Sequence, residues 1–286
     1  MIDLKQSSFV ERVIYRLIKK HISGPTMASA LARAKQLNSK GIPVSINFMS
    51  RPPQNRAKAN YITTTYMQLV REIARLGVKA SVHLQLEQLG SNLSEELAVE
   101  NLQSVIDASR KCGVFVWCEV GDPAKDTTLV SRLSDPKGLG FAFLSVEHGM
   151  NYAKRHRPIK ELKVMCKPDA QNGKKEEDKG KKQDSIQSIE AIAQVSRNLV
   201  LLSPKEWVVA NLVKKNGKYR KSLIFEFQLG YGEKKLNKML KKGTRISIYI
   251  PFGKDWASYA MNNVPEGYMR MLANSLLTEQ KGEKGV

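Results

Sequence analysis

Residues 223–232 read Leu-Ile-Phe-Glu-Phe-Gln-Leu-Gly-Tyr-Gly, and residues 245–256 read Arg-Ile-Ser-Ile-Tyr-Ile-Pro-Phe-Gly-Lys-Asp-Trp. An amphipathic segment ending at Gly243 separates them, and Ala-Met-Asn-Asn-Val-Pro-Glu follows at 260–266. The order is strand, helix, strand, helix. On the first strand Glu226 and Gln228 alternate with Phe225 and Phe227, so one face is polar and the other aromatic. A polar face on an otherwise buried strand is expected to point at a ligand. Pro251 and Gly253 are expected to stop the second strand, with Asp255 capping the helix that follows.

Working outward, the same alternation recurs along the chain. Helical spacing at 8–22 places Phe9, Val13, Ile14, Leu17 and Ile18 on one face, and Gly24-Pro25-Thr26 starts a second helix bearing Ala30, Leu31, Ala34 and Leu37. Strands are expected at 43–49, 79–86, 114–119, 140–146, 162–166, 199–202, 223–228 and 246–250. The spacers are amphipathic, as in Ile62, Tyr66, Leu69, Val70, Ile73 and Leu76, or Val99, Leu102 and Ile106. Eight strands separated by helices predict one (β/α)8 barrel domain over residues 1–286, preceded by two helices. Residues 172–184, rich in lysine, glutamate and glycine and lacking apolar side chains, are expected to form a disordered loop.

Composition narrows the class of function. The chain has 286 residues, 42% of them hydrophobic, with 47 Lys and Arg against 27 Asp and Glu, a net charge of +20. No apolar run is long enough to span a bilayer and the first residues lack a signal-peptide layout, so a cytoplasmic location is expected. Cys112, Cys118 and Cys166 lack paired spacing and read as free thiols. His21, His148 and His156 have no partners at metal-ligand spacing, and no metal site is expected. The positive charge is diffuse, as in Lys234, Lys235, Lys238, Lys241 and Lys242, and not interleaved with aromatics. It reads first as lysines scattered on solvated helix faces, with weak contact to an anionic membrane surface as the functional alternative and no specific nucleic-acid binding expected.

Phe225-Glu-Phe-Gln228 with Tyr231-Gly232, followed by Tyr249-Ile-Pro-Phe-Gly-Lys-Asp-Trp256 and Tyr259, resembles the end of a single-domain proline dehydrogenase. The resemblance implies a distorted (β/α)8 barrel whose final helix covers the strand ends, FAD as cofactor, and oxidation of proline or a related imino or amino acid in proline catabolism. Contact with a membrane surface is implied in the same way, since the family passes electrons to quinone.

The resemblance also assigns positions. Gln85, in His83-Leu-Gln-Leu-Glu-Gln-Leu-Gly90, stands for the family's strand-two lysine. Glu119, in Trp117-Cys-Glu119, keeps the second acid of strand three, while Trp117 replaces the first. Leu144 stands for a glutamine facing the flavin ring, and Val164 for an arginine near it. Lys167 is the cation kept on strand five. Ser203, in Ser203-Pro204-Lys205, stands in the motif that grips the flavin phosphates, and Glu226 and Gln228 complete the cofactor side. Asn262 and Asn263 replace the arginine pair that clamps the substrate carboxylate, and Glu266 is retained.

Framework motifs thus persist while many chemistry-bearing positions differ, and two readings follow. One is a flavin oxidoreductase with a rebuilt site. The other is a catalytically silent barrel that acts as a binding subunit or partners an intact paralogue.

Overall fold

The computed structural model describes residues 19–156, 159–165, 177–214 and 222–255. Eight strands, β1 (Val44–Phe48), β2 (Ala80–Gln85), β3 (Val116–Val120), β4 (Leu139–Phe143), β5 (Ile159–Met165), β6 (Ser196–Leu202), β7 (Leu223–Gln228) and β8 (Ile246–Phe252), form a closed barrel in sequence order. Every neighbouring pair is parallel, and β8 returns to β1 with Val44 opposite Ile248 and Phe48 opposite Phe252. The expected strands lie within a few residues of these.

The helices are α1 (Met27–Asn38), α2 (Arg56–Arg75), α3 (Glu95–Cys112), α4 (Pro123–Ser131), α5 (Val146–Arg155), α6 (Glu177–Val195), α7 (Glu206–Lys214) and α8 (Glu233–Lys241). Their starts are written in the sequence. The side chains of Thr26, Asn55, Ser94, Asp122 and Ser145 each accept a hydrogen bond from a backbone N–H of the first turn, satisfying donors that a helix leaves unpaired. Glu95, Glu147, Glu206 and Glu233 occupy first turns, and Arg75, Arg110, Lys154 and Lys241 last turns, in the sense that the helix dipole favours.

Side-chain direction alternates along each strand. Ile46, Leu84, Cys118, Phe143, Val164, Leu201, Phe225 and Ile250 belong to the apolar layer between barrel and helices, where Ile62, Leu69 and Ile106 also sit. The other face of the strands lines the barrel interior. Helix α1 packs on both β8 and β1, taking the outer-ring place that a helix after β8 fills in a regular barrel. The helix expected before α1 falls largely on residues 1–18, and the final helix on residues after 255. Both lie outside the described residues.

Two expectations are corrected. Strand β8 does not stop before Pro251 but continues through it to Phe252. Its pairing with β7 ends at Gln228 opposite Tyr249, so the N–H that proline lacks would have had no ladder partner on that side. The Pro251 carbonyl instead accepts from the Ser23 N–H at 3.0 Å. Of the loop expected at 172–184, residues 177–184 form the start of α6, while 172–176 lie outside the described residues. The helix is anchored further on by Ile186, Ile189 and Ile192, all buried. Lysine, glutamate and glutamine are good helix formers, so the propagating turns extend back through a stretch of polar sequence.

The Asp255 carboxylate accepts from the Arg51 backbone N–H at 3.2 Å, tying the exits of β8 and β1 together. Among the described residues no helix is long and apolar enough to cross a membrane, and Cys112 and Cys118 are free thiols.

The helical start of α6 has a direct test. Asp184→Pro places a proline inside the helix, which costs about 3 kcal/mol, and should lower the thermal midpoint by several degrees. An unchanged midpoint would show that the stretch is a loop.

Candidate active site in the barrel interior

The interior face carries Ser45 and Asn47 on β1, His83 and Gln85 on β2, Trp117 and Glu119 on β3, Lys163 on β5, Glu226 and Gln228 on β7, and Ser247 and Tyr249 on β8. Side chains in a (β/α)8 barrel interior normally fill it with branched hydrocarbon. Here the filling is polar and ionic, so every group needs a partner.

The partners converge on Lys163, whose side chain has no exposure. Its Nζ donates to Glu226 Oε2 at 2.8 Å and to Ser45 Oγ at 3.2 Å, and lies 3.5 Å from His83 Nδ1. An ammonium has three hydrogens, and three acceptors surround this one. The Trp117 ring covers it as well, with its centroid 4.8 Å from Nζ, an arrangement that favours a cation. Burial lowers the Lys163 pKa from the ordinary lysine value, and the Glu226 carboxylate opposes that shift. Glu226 in turn accepts from Ser247 Oγ at 3.3 Å.

From Lys163 the contacts run outward to Glu119. His83 Nε2 lies 3.0 Å from Glu119 Oε2, and Gln85 Nε2 donates to Glu119 Oε1 at 2.7 Å. The His83 side chain is 1% exposed and that of Glu119 is 15% exposed, so this route leads from the closed interior towards the carboxyl ends of the strands. Asn47 Nδ2 donates to the His83 carbonyl at 2.8 Å, and the Tyr249 ring stands perpendicular to the imidazole with centroids 5.2 Å apart. Trp117 owes its place to Gly140 on the adjoining strand. A Cβ there would stand 2.6 Å from the indole edge.

A second polar contact lies at the ends of β6 and β7. Gln228 Nε2 donates to Ser203 Oγ at 3.2 Å. Ser203 has φ 53°, the one left-handed non-glycine residue among those described, and its N–H donates to the Glu226 carbonyl at 2.8 Å. A serine held in that region is strained, and such residues concentrate where chain direction matters to function.

The structure therefore brings together Gln85 with Glu119, and Ser203 with Gln228. It places Glu226 at the base of the interior against Lys163. Lys167, Asn262, Asn263 and Glu266 lie outside the described residues. Strand β5 carries a correction. Val164, assigned to the family's arginine position, points to the helix side, where it packs against Gly149. Lys163, one residue earlier, holds the inward place, and a one-residue shift exchanges the faces of a strand.

His83, Lys163, Ser45 and Ser247 went unrecognised as site residues in the sequence. The signal for His83 was present: Ser81, His83 and Gln85 alternate with Val82, Leu84 and Leu86.

The Lys163–Glu226 pair yields a prediction about stability. Lys163→Met or Glu226→Leu alone leaves a buried charge unpaired and should cost about 3–5 kcal/mol in urea unfolding. The double variant removes both charges and should be no less stable than either single variant. Additive losses would show that the two charges do not interact.

No family model matches the chain. It is similar to proline dehydrogenase 1 of Bacillus subtilis subsp. natto, 25% identical over 263 residues that cover 87% of this chain and 86% of the relative. The proline dehydrogenase of Deinococcus radiodurans is 21% identical, with coverage of 88% and 87%. Among solved structures, proline utilization A from Bdellovibrio bacteriovorus, inactivated by N-propargylglycine, superposes with a TM-score of 0.67 at 15% identity. That match covers 88% of this chain and 32% of the larger protein, so the chain spans about a third of its length. The barrel, with its helix α1 between β8 and β1, and the span of these relatives make the chain similar to proline dehydrogenases over nearly its whole length.

Proposed function

We propose that the chain is an oxidoreductase that takes a hydride from proline or a related small imino or amino acid, with FAD as the acceptor. The observation that carries this reading is the polar interior ending in Glu119 at the strand ends, in a chain whose relatives across nearly its whole length are named proline dehydrogenase. A carboxylate held by Gln85 and His83 supplies the negative charge that a cationic secondary amine seeks. Trp117 and Lys163 close the interior below it and keep water out.

The described residues suit the neutral, hydrogen-bonding edges of a flavin. Ser203 and Gln228, joined to each other beside a strained backbone, would hold it from the ends of β6 and β7. Bound there, FAD supplies the two-electron oxidant. The charge on the reduced flavin finds less support, because the three hydrogens of Lys163 already face Glu226, Ser45 and His83. This favours weak retention of the cofactor.

The same self-pairing of Lys163 favours a second reading, a barrel that binds its ligand or an intact paralogue without turnover. An anionic membrane surface remains a proposed contact for the positive chain. The two readings separate in one experiment. The purified protein, supplied with FAD, is expected to show flavin absorbance that is lost on gel filtration, together with slow dye-linked oxidation of proline. Asn262→Arg with Asn263→Arg alone should not raise that rate. Absent flavin binding and absent turnover would leave the silent barrel, whereas stoichiometric retained flavin would show that the cofactor is held by groups other than those named.

A further inference from the structure

The interior contains one imidazole, and its surroundings settle which nitrogen carries the proton. His83 Nδ1 faces the Lys163 ammonium at 3.5 Å and Nε2 faces the Glu119 carboxylate at 3.0 Å. An ammonium can only donate and a carboxylate can only accept. Nδ1 is therefore the acceptor and Nε2–H the donor. The reverse tautomer would set N–H against NH3+ on one side and two lone pairs against each other on the other. A doubly protonated ring would also press N–H against NH3+.

The Tyr249 ring stands perpendicular to the imidazole, and Asn47 binds the His83 backbone carbonyl and not the ring. Glu226 and Ser45 take the other two hydrogens of Lys163 and so aim the third at Nδ1. Gln85 donates to the second oxygen of Glu119. Two residues of β2 thus face the carboxylate, one at each oxygen, and the His83 ring links it to a lysine that lies across the barrel on β5.

We propose that His83 is a positioning residue of the site: as the neutral tautomer protonated on Nε2 it holds the Glu119 carboxylate at the strand ends, and the Lys163 ammonium and that carboxylate together select the tautomer. The catalytic meaning rests on the oxidoreductase reading above; the tautomer itself does not.

Long-range proton–nitrogen NMR correlation of the imidazole rings reads the tautomer directly. The chain has four histidines, and the His83 signals are those missing from His83→Gln. At neutral pH the expected pattern is a proton on Nε2 alone. A proton on Nδ1, or on both nitrogens, overturns the proposal. In the Lys163→Met, Glu226→Leu double variant Glu119 still calls for the proton on Nε2 but Nδ1 loses its donor, so the Nδ1 resonance should shift, and an unchanged Nδ1 signal removes Lys163 from the relay. Should that variant fail to fold, the wild-type spectrum still decides between the tautomers.

The chemical arm compares two substitutions in dye-linked proline oxidation. His83→Phe keeps a ring against Tyr249 but loses the donor, and should lower kcat by roughly 100-fold with KM little changed, as a misplaced catalytic carboxylate does. His83→Gln restores a donor near the Nε2 position and should recover most of the loss. Equal activity of the phenylalanine variant and the wild type overturns the positioning role. A wild type without flavin or turnover instead overturns the functional reading, and the tautomer spectrum then judges the relay alone.

Discussion

Everything in the barrel interior depends on how one buried ammonium is satisfied. Lys163 has no access to water and three hydrogens to place, and the acceptors it finds come from β1, β2 and β7. A single side chain on β5 thereby ties strands around the circumference of the barrel. Taking such a charge out of water is costly unless geometry and hydrogen bonds are both good. The arrangement is for that reason a condition on the register of β5, because a slip by one residue would put Val164 inside and strand the ammonium among hydrocarbon.

The outer ring has an equivalent constraint. Closure of a parallel barrel leaves the groove over β8 and β1 to be covered, and α1 covers it before the chain has formed its first strand. The caps at Thr26, Asn55, Ser94, Asp122 and Ser145 show how little is left to chance at the helix starts. Each sits just ahead of the apolar periodicity it introduces.

That regularity is why the fold could be read from the sequence. Alternation in Val44–Phe48, Ala80–Gln85 and Leu223–Gln228 marks both the strand and its inward face, and the eight-fold count follows. Of the candidate positions, alternation places Glu119, Gln85 and Gln228 on the inward face of their strands, while Ser203 follows from its motif alone. Strand β5 resisted because Ile-Lys-Glu-Leu-Lys-Val-Met carries polar side chains on both faces. Glu161 is half-buried against Asn198, and only tertiary partners distinguish it from Lys163. His83 was hidden differently: its chemistry depends on Lys163 and Glu119, which are 80 and 36 residues away. The start of α6 is hard to read because a helix continues cooperatively from its apolar part into turns whose sequence is wholly polar.

The contact of Trp117 with Gly140 has a consequence for how such an interior could have arisen. The indole occupies the space that any side chain on Gly140 would need. Had the tryptophan come first, the barrel would have passed through an overfilled intermediate. With the glycine in place beforehand, the indole enters an open interior. The order of the two substitutions is therefore asymmetric: one route is open to selection at every step, and the other is closed at its first.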